Sequence, residues 1–298
     1  MQKFVKQEDL TIPIIKSGSL FHYTSVDGLK GIVDGEFWIT DREFLNDTKE
    51  FHVASKVFKE LVKKNIKDRG VRNSIYKAFD KELGTLQGEK LLPKDRCYVL
   101  SCSLDCDSIL MWSEYSNFMG YCMEFDAKQF MKAFDDRITF QGKVVYSHDE
   151  QIKIVSDYIE HEMFSEDFDE RTAHSWDELE KSDASKVDFF IKHVANVCFL
   201  YNMFFKYECF KQEHEYRFVI YGPPEGIINP PIIETSFRTK DNSIIPFVKM
   251  KLPKDIGLKR VVIGPINKSD ISEKGLKVYF NQKELKVKVE RSKVPIRY

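Results

Sequence analysis

The sequence lacks the short signatures that mark the common cofactor and hydrolase folds. No Gly-x-Gly-x-x-Gly follows a strand, no Walker-type Gly-Lys-Ser/Thr loop occurs, and neither a Gly-x-Ser-x-Gly elbow nor a His-Glu-x-x-His helix is present. Rossmann, P-loop, α/β-hydrolase and zincin readings therefore fail. The six cysteines, Cys97, Cys102, Cys106, Cys122, Cys198 and Cys209, include no Cys-x-x-Cys pair. Neither a zinc ribbon nor a thioredoxin-type site is signalled, no metal is expected, and scattered reduced thiols point to a cytoplasmic location. Long apolar runs are missing too: the most hydrophobic stretch, Ile191 to Phe205, is interrupted by Lys192, His193 and two asparagines, and Met1 to Leu10 has no apolar segment. Neither membrane spanning nor secretion is expected.

Net charge is almost absent, with 46 basic against 47 acidic side chains over 298 residues, but the charges are unevenly placed. Residues 149–183 carry thirteen acids against three bases, and residues 251–298 carry thirteen bases against five acids. The basic tail has no clustered runs and no interleaved stacking aromatics, so it reads as a solvated edge rather than a nucleic-acid surface. With 42% hydrophobic residues the chain can bury a core without disulfides. The expectation is one elaborated domain over 1–298, with an acidic helical insertion at 149–205.

Periodicity predicts a strand at Leu20–Thr24, a helix at Val26–Val33 ended by Gly35, and a strand at Phe37–Thr40. Asp47 and Glu50 form an Asp-x-x-Glu capping box before a helix with Val53, Ala54, Val57, Phe58, Leu61 and Val62 on one face. Residues 65–93 read as polar, partly helical and peripheral. Strands are predicted at Cys97–Ser103, Tyr121–Phe125, Lys143–Tyr146, Glu215–Tyr221, Ile244–Met250, Arg260–Ile263 and Leu285–Val289. A short helix after Asp107 or Ser108 carries Leu110, Met111, Trp112 and Tyr115, and the strongest helical pattern spans Val187 to Tyr201. Strands and helices without regular βαβ alternation predict an α+β fold with a split antiparallel or mixed sheet and peripheral helices.

Three patches are chemically dense. In Phe21-His22-Tyr23-Thr24-Ser25, strand alternation places His22 and Thr24 on one face, where they match a ribose diol, while a helix cap and a core tyrosine explain the same residues structurally. In Ser101-Cys102-Ser103 and Met111-Trp112-Ser113-Glu114-Tyr115, the two rings share a helix surface, with Trp112 read as core. In Glu213-His214-Glu215-Tyr216-Arg217-Phe218, alternation puts Glu213, Glu215 and Arg217 together, either as a solvated charged face or as an acid fixed by Arg217. Phe44-Leu45-Asn46-Asp47 is a fourth patch.

Taken in order, His22 to Ser25, Phe44 to Asp47, Met111 to Tyr115 and Glu213 to Arg217 resemble the pattern of a large bacterial family of unknown function. Gly120-Tyr121 and Arg260 to Gly264 are weaker companions, and the resemblance covers about residues 20–265. That family is similar to the ADP-ribosyltransferase superfamily, whose chemistry uses NAD as substrate and requires no metal. The resemblance implies that His22 holds the adenosine-side ribose, with Tyr23, Thr24 and Ser103 nearby. Tyr115 or Tyr121 would stack on nicotinamide, and Glu215 would bind the nicotinamide ribose, with Glu213 as its competitor. Arg42, Arg217 or backbone amides would meet the phosphates. The early His is similar to the poly-ADP-ribose branch, whereas Ser101-Cys102-Ser103 and Glu213-His214-Glu215 are similar to the Ser-Thr-Ser and Glu-x-Glu of the toxin branch. The implied role is a toxin or anti-phage effector modifying protein or nucleic acid, with a regulatory partner or antitoxin as a further implied partner. The alternatives are a metal-independent ribonuclease using His22, Glu215 and Arg217, and an inactive nucleotide-sensing module.

Overall fold

The computed structural model describes residues 6–45, 50–86, 97–134, 138–169, 171–221, 235–240 and 242–296. Along the chain run β1 (Ser19–Thr24), α1 (Val26–Val33), β2 (Glu36–Asp41), α2 (Val53–Asn65), α3 (Arg69–Leu86), β3 (Cys97–Ser103), α4 (Ile109–Ser116), β4 (Tyr121–Asp126), α5 (Ala127–Ala133) and β5 (Phe140–Lys143). Then follow α6 (His148–Asp157), α7 (Trp176–Lys181), α8 (Ala184–Tyr201), β6 (Glu215–Tyr221), β7 (Thr235–Lys240), β8 (Ser243–Lys251), β9 (Leu258–Ile263), α9 (Asp270–Gln282) and β10 (Lys288–Arg291). The fold is mixed α/β with one large, open, mixed sheet. The chain groups into two compact units, one of residues 1–12, 46–92 and 144–211 and one of residues 13–45, 93–143 and 212–298. The expected insertion at 149–205 lies within the first, together with α2 and α3.

The first unit is helical. The predicted apolar face of α2 is buried, and α3 buries Ile75, Phe79 and Leu83. The expectation of a peripheral 65–93 segment is therefore corrected: apolar residues at i, i+4 and i+8 give α3 an inward stripe. Phe58 meets Phe79 at 4.6 Å and Phe190 at 6.4 Å, and Phe164 stacks on Phe190 at 5.7 Å. The acidic stretch forms α6, a π-helical turn at Tyr158–Met163, and α7. His52 at the start of α2 makes no capping bond through its side chain. Asn202, just past α8, accepts from the Ala54 amide at 2.8 Å instead and donates to Ser55 Oγ at 3.1 Å. An orphan donor of the first turn is thus satisfied from another helix. The expected Asp47–Glu50 capping box involves Asp47, which lies outside the described residues.

The second unit holds the sheet, in the order β10-β9-β4-β1-β3-β2-β8-β7, with β6 on β3 and β5 on β6. Only β9 and β10 pair in parallel among the named strands. Alternation sends Leu20, Phe37, Ile39, Leu100, Met123 and Phe218 toward α1, α5 and α9, while Phe21, Tyr23, Cys122 and Val262 pack with Met111 and Trp112 of α4 on the opposite face. Ser25 caps α1, accepting from the Gly28 amide at 3.2 Å.

Two strand expectations shift. β5 ends at Lys143, and Val145 makes a single bridge to Phe205, so Lys143–Tyr146 is not a strand. β10 begins at Lys288 rather than Leu285 because α9 is followed by a left-handed turn at Glu284, φ 58°. Gly120 and Gly264 are needed for close backbone approach: a Cβ at Gly120 would lie 2.3 Å from Thr24 O and one at Gly264 2.3 Å from Phe118 O.

Candidate functional site

Along a single edge of β3 the pairing passes from one strand to another. At one end of that edge Phe21 of β1 pairs with Ser103, and at the other end Thr40 and Asp41 of β2 pair with Val99 and Tyr98. Between these points the edge passes from one neighbour to the other, and the Ser101 carbonyl there accepts a hydrogen bond from His22 Nδ1 at 3.1 Å. Because a carbonyl only accepts, Nδ1 carries the proton and Nε2 keeps its lone pair. The imidazole also meets the Phe37 ring edge-on at 4.9 Å. Burial lowers the His22 pKa to about 4, opposed by the Ser101 bond and reinforced by the Arg238 guanidinium, so the ring is neutral at pH 7.

The opposite edge of β3 pairs with β6 along its length, Ser101 facing Arg217 and Ser103 facing Glu215. Residues paired across strands share a face, so Phe21, Ser103 and Glu215 point to the side that α4 covers. Two interstrand spacings, about 10 Å, therefore separate the β1 backbone at Phe21 from the β6 backbone at Glu215, while His22, next along β1, turns to the Leu20 and Phe37 side of the sheet, opposite Glu215. Glu215 and Arg217 form an ion pair, Arg217 Nη2 donating to Oε2 at 2.6 Å, with side chains 3% and 1% exposed. The solvated-face explanation of this strand is thereby excluded.

Glu213 departs from the expected alternation. It closes a one-residue-tighter helical turn at Glu208–Glu213, and His214 at φ 43° breaks the backbone before β6 begins. Its carbonyl accepts from Ser103 Oγ at 2.8 Å, while Ser103 Oγ accepts from the Asp105 amide at 3.0 Å. The Ser103 hydroxyl, buried with both partners taken, is a tie between β3 and the 213–214 turn rather than a ligand contact. His214 Nδ1 and Asp105 Oδ2, 2.6 Å apart, strengthen the same connection.

The remaining expected residues separate by face. Tyr23 is buried, its hydroxyl donating to Asp105 O at 3.1 Å and accepting from the Ser108 amide at 3.0 Å, and burial raises its pKa. It anchors the 105–108 loop. Thr24 ends β1 and is half-buried, its hydroxyl lying over Gly28. Tyr115 packs at the margin of the α4 cluster, whereas Tyr121 is 6% exposed within the core under α1, α5 and α9. The two tyrosines are on opposite sides of the sheet, and Tyr115 alone shares the face of Glu215. Trp112 is fully buried, its Nε1 donating to Asp107 at 2.8 Å, as the core reading expects. Arg42 sits in a single helical turn after β2 with Nη2 on Glu43 at 2.6 Å.

One residue escaped sequence reasoning. Arg238 on β7 donates from Nη2 to Thr40 Oγ1 at 2.9 Å, lies 5.8 Å from the Phe247 ring, and acts on His22. The signal was Asn242 ahead of an alternating run, a residue tolerant of the left-handed conformation it adopts before β8, φ 59°. Among the described residues no group of His, Cys, Asp and Glu could hold a metal ion, and no helix is long and apolar enough to cross a membrane.

Comparison with curated proteins and with solved structures found no match. Residues 111–218, about a third of the chain, carry a domain matching the family described as protein of unknown function DUF2971, which takes in Met111–Tyr115 and Glu213–Arg217 and leaves His22 to Ser25 and Phe44 to Asp47 outside.

Proposed function

We propose that this protein is an ADP-ribosyltransferase-like enzyme that cleaves NAD between nicotinamide and ribose and passes ADP-ribose to a protein or nucleic-acid acceptor, as a toxin or anti-phage effector. The observation that carries the reading is the β3 junction. It sets a neutral His22, whose Nε2 can accept from a ribose hydroxyl, two strands from a carboxylate, Glu215, that a guanidinium holds on the other face of the sheet, so the reading requires NAD to reach both through the opening between β1 and β2. Cleavage of the glycosidic bond builds positive charge on the ribose, and a preorganised carboxylate stabilises that charge more than it stabilises the ground state. Tyr115, at the margin of the α4 cluster on the face of Glu215, is the aromatic group that would wall the nicotinamide. Arg238 takes the phosphate-binding role ahead of Arg42, whose head group is turned to Glu43.

The neutral imidazole argues against the ribonuclease, because a general acid must carry its proton near the working pH. A second reading, a nucleotide-binding module without turnover, is favoured by the Glu215–Arg217 contact, which engages the carboxylate that catalysis would need. The test is calorimetric titration of purified protein with NAD, followed by assay of nicotinamide release and of labelled NAD transfer to lysate. Transfer that is lost in Glu215→Gln but kept in Glu213→Gln supports the enzyme. Binding without nicotinamide release supports the module, and RNA loss without NAD, or no NAD binding, sinks the proposal.

A further inference from the structure

Behind α4 lies a group of side chains that the proposed NAD chemistry does not use. Cys106, half-exposed in the loop between β3 and α4, packs against the cluster that contains Cys122, a buried residue of β4. Arg260 of β9 reaches Cys106 Sγ with Nη2 at 3.3 Å. The same guanidinium is braced by Glu124 at 2.6 Å and Glu290 at 2.7 Å, so it is held in position rather than free to swing away. Cys122 is the neighbouring thiol, and each of the two shifts the titration of the other. Cys106 thus has a fixed cation on its sulfur, a second thiol as neighbour and a half-exposed position.

We infer that Cys106 and Cys122 form a redox-active dithiol, in which Cys106 is the nucleophile oxidised by a hydroperoxide and Cys122 is the thiol that closes the disulfide. The Cys106 thiolate attacks the peroxide, breaking the O–O bond and taking one oxygen as sulfenic acid while the other leaves as hydroxide or alkoxide. The Cys122 sulfur then attacks Cys106 sulfur, its proton leaves with the sulfenic oxygen, and water is released. The sum is two thiols and one hydroperoxide giving one disulfide, water and water or alcohol, a two-electron oxidation.

Charge placement explains why this pair differs from the other cysteines. The hydrogen bond from Cys122 and the Arg260 charge hold the Cys106 thiol below its ordinary pKa, against burial, Asp107 and Glu124. Cys122 is pushed up by burial and by donating to Cys106, so the proton resides on the buried partner. Burial likewise pushes up Cys97, Cys102 and Cys198, which makes them inert. Loop residue Cys106 is the one that moves as the sulfurs close from hydrogen-bond contact to a bond of about 2.05 Å.

The test uses the reduced full chain, with exposed Cys209 as internal reference. Under limiting iodoacetamide, peptide mapping should show Cys106 alkylated at least severalfold faster than Cys209, because the thiolate is the form that reacts. Arg260→Met should shrink that advantage, and Arg260→Lys, which retains a cation, should keep more of it. Stoichiometric hydrogen peroxide should then give a Cys106–Cys122 disulfide reversible by dithiothreitol, and Cys122→Ser should instead accumulate a dimedone-trapped sulfenic acid at Cys106. Alkylation of Cys106 no faster than Cys209 in the folded wild type, or peroxide treatment that links neither cysteine to the other, overturns the inference.

Discussion

The two units bury polar groups in different ways. In the helical unit the buried amides serve the backbone: Asn202 satisfies the start of α2, and Gln151 Nε2 donates to Val145 O at 2.8 Å and Lys206 O at 2.9 Å. Each repairs a hydrogen bond that the irregular chain cannot make for itself. In the sheet unit Ser103 and Tyr23 likewise bond backbone groups, but there a buried acid and a buried base also bond each other, Glu215 with Arg217. A buried ion pair is a poor source of stability compared with apolar packing, because desolvation consumes much of the attraction. Its position on β6, paired to β3 whose other edge passes from β1 to β2, is what marks the second unit, and not the first, as the place to look for chemistry.

The contrast breaks most sharply at Arg217. Arg217→Met leaves the Glu215 carboxylate buried without its guanidinium and should cost about 3–5 kcal/mol in denaturant unfolding, with much of the loss recovered in the Glu215→Gln, Arg217→Met double variant. A loss under about 1 kcal/mol would mean that the pair is not desolvated as described. His22 gives a pH signature of similar size. Its pKa is lowered on folding from 6.5 to about 4, so the unfolded chain binds more protons in that window. The contribution is complete above pH 6.5 and is lost as pH falls toward 4, by on the order of 3 kcal/mol. His22→Asn should flatten that slope, and an unchanged profile would show that the imidazole is hydrated.

In the helical unit, Asn202→Ala strands the Ala54 amide and should cost about 1–3 kcal/mol without any pH dependence. Smallest are the caps. Asp183, which accepts from the Ser185 and Lys186 amides at 2.8 and 3.0 Å, and Ser25 at the start of α1 should each lose about 1 kcal/mol on replacement by Ala. Equal cap losses would confirm that the units differ in their buried side chains and not in their local helix chemistry.

Local periodicity was legible wherever one face of an element is buried. β6 runs over Glu215–Tyr221 as its alternation predicts, α1 over Val26–Val33, and the stripe of α2 is the one the apolar spacing marks. Elements with weak patterns were missed: α5 and α9 follow strands or loops without a long apolar run, and β7 alternates with an exposed Phe237. Glu213 fell to a backbone effect, since the left-handed His214 cannot be read from alternation.

By itself the sequence determined that strands and helices mix along the chain and which segments most of them occupy, because hydrophobic spacing is a local property. It also put Glu215 and Arg217 on one side of β6, since strand parity is a two-residue repeat, while the structure decided that this side is buried. Only the tertiary structure decided that β1 and β2 share one edge of β3 and that His22 fills the space between them. Only it separated Tyr115 from Tyr121 by the thickness of the sheet, and brought Arg238 and Arg260 to residues far away in the chain. Strand order and register are set by non-local pairing and by which faces find cover, and neither is written in any single segment.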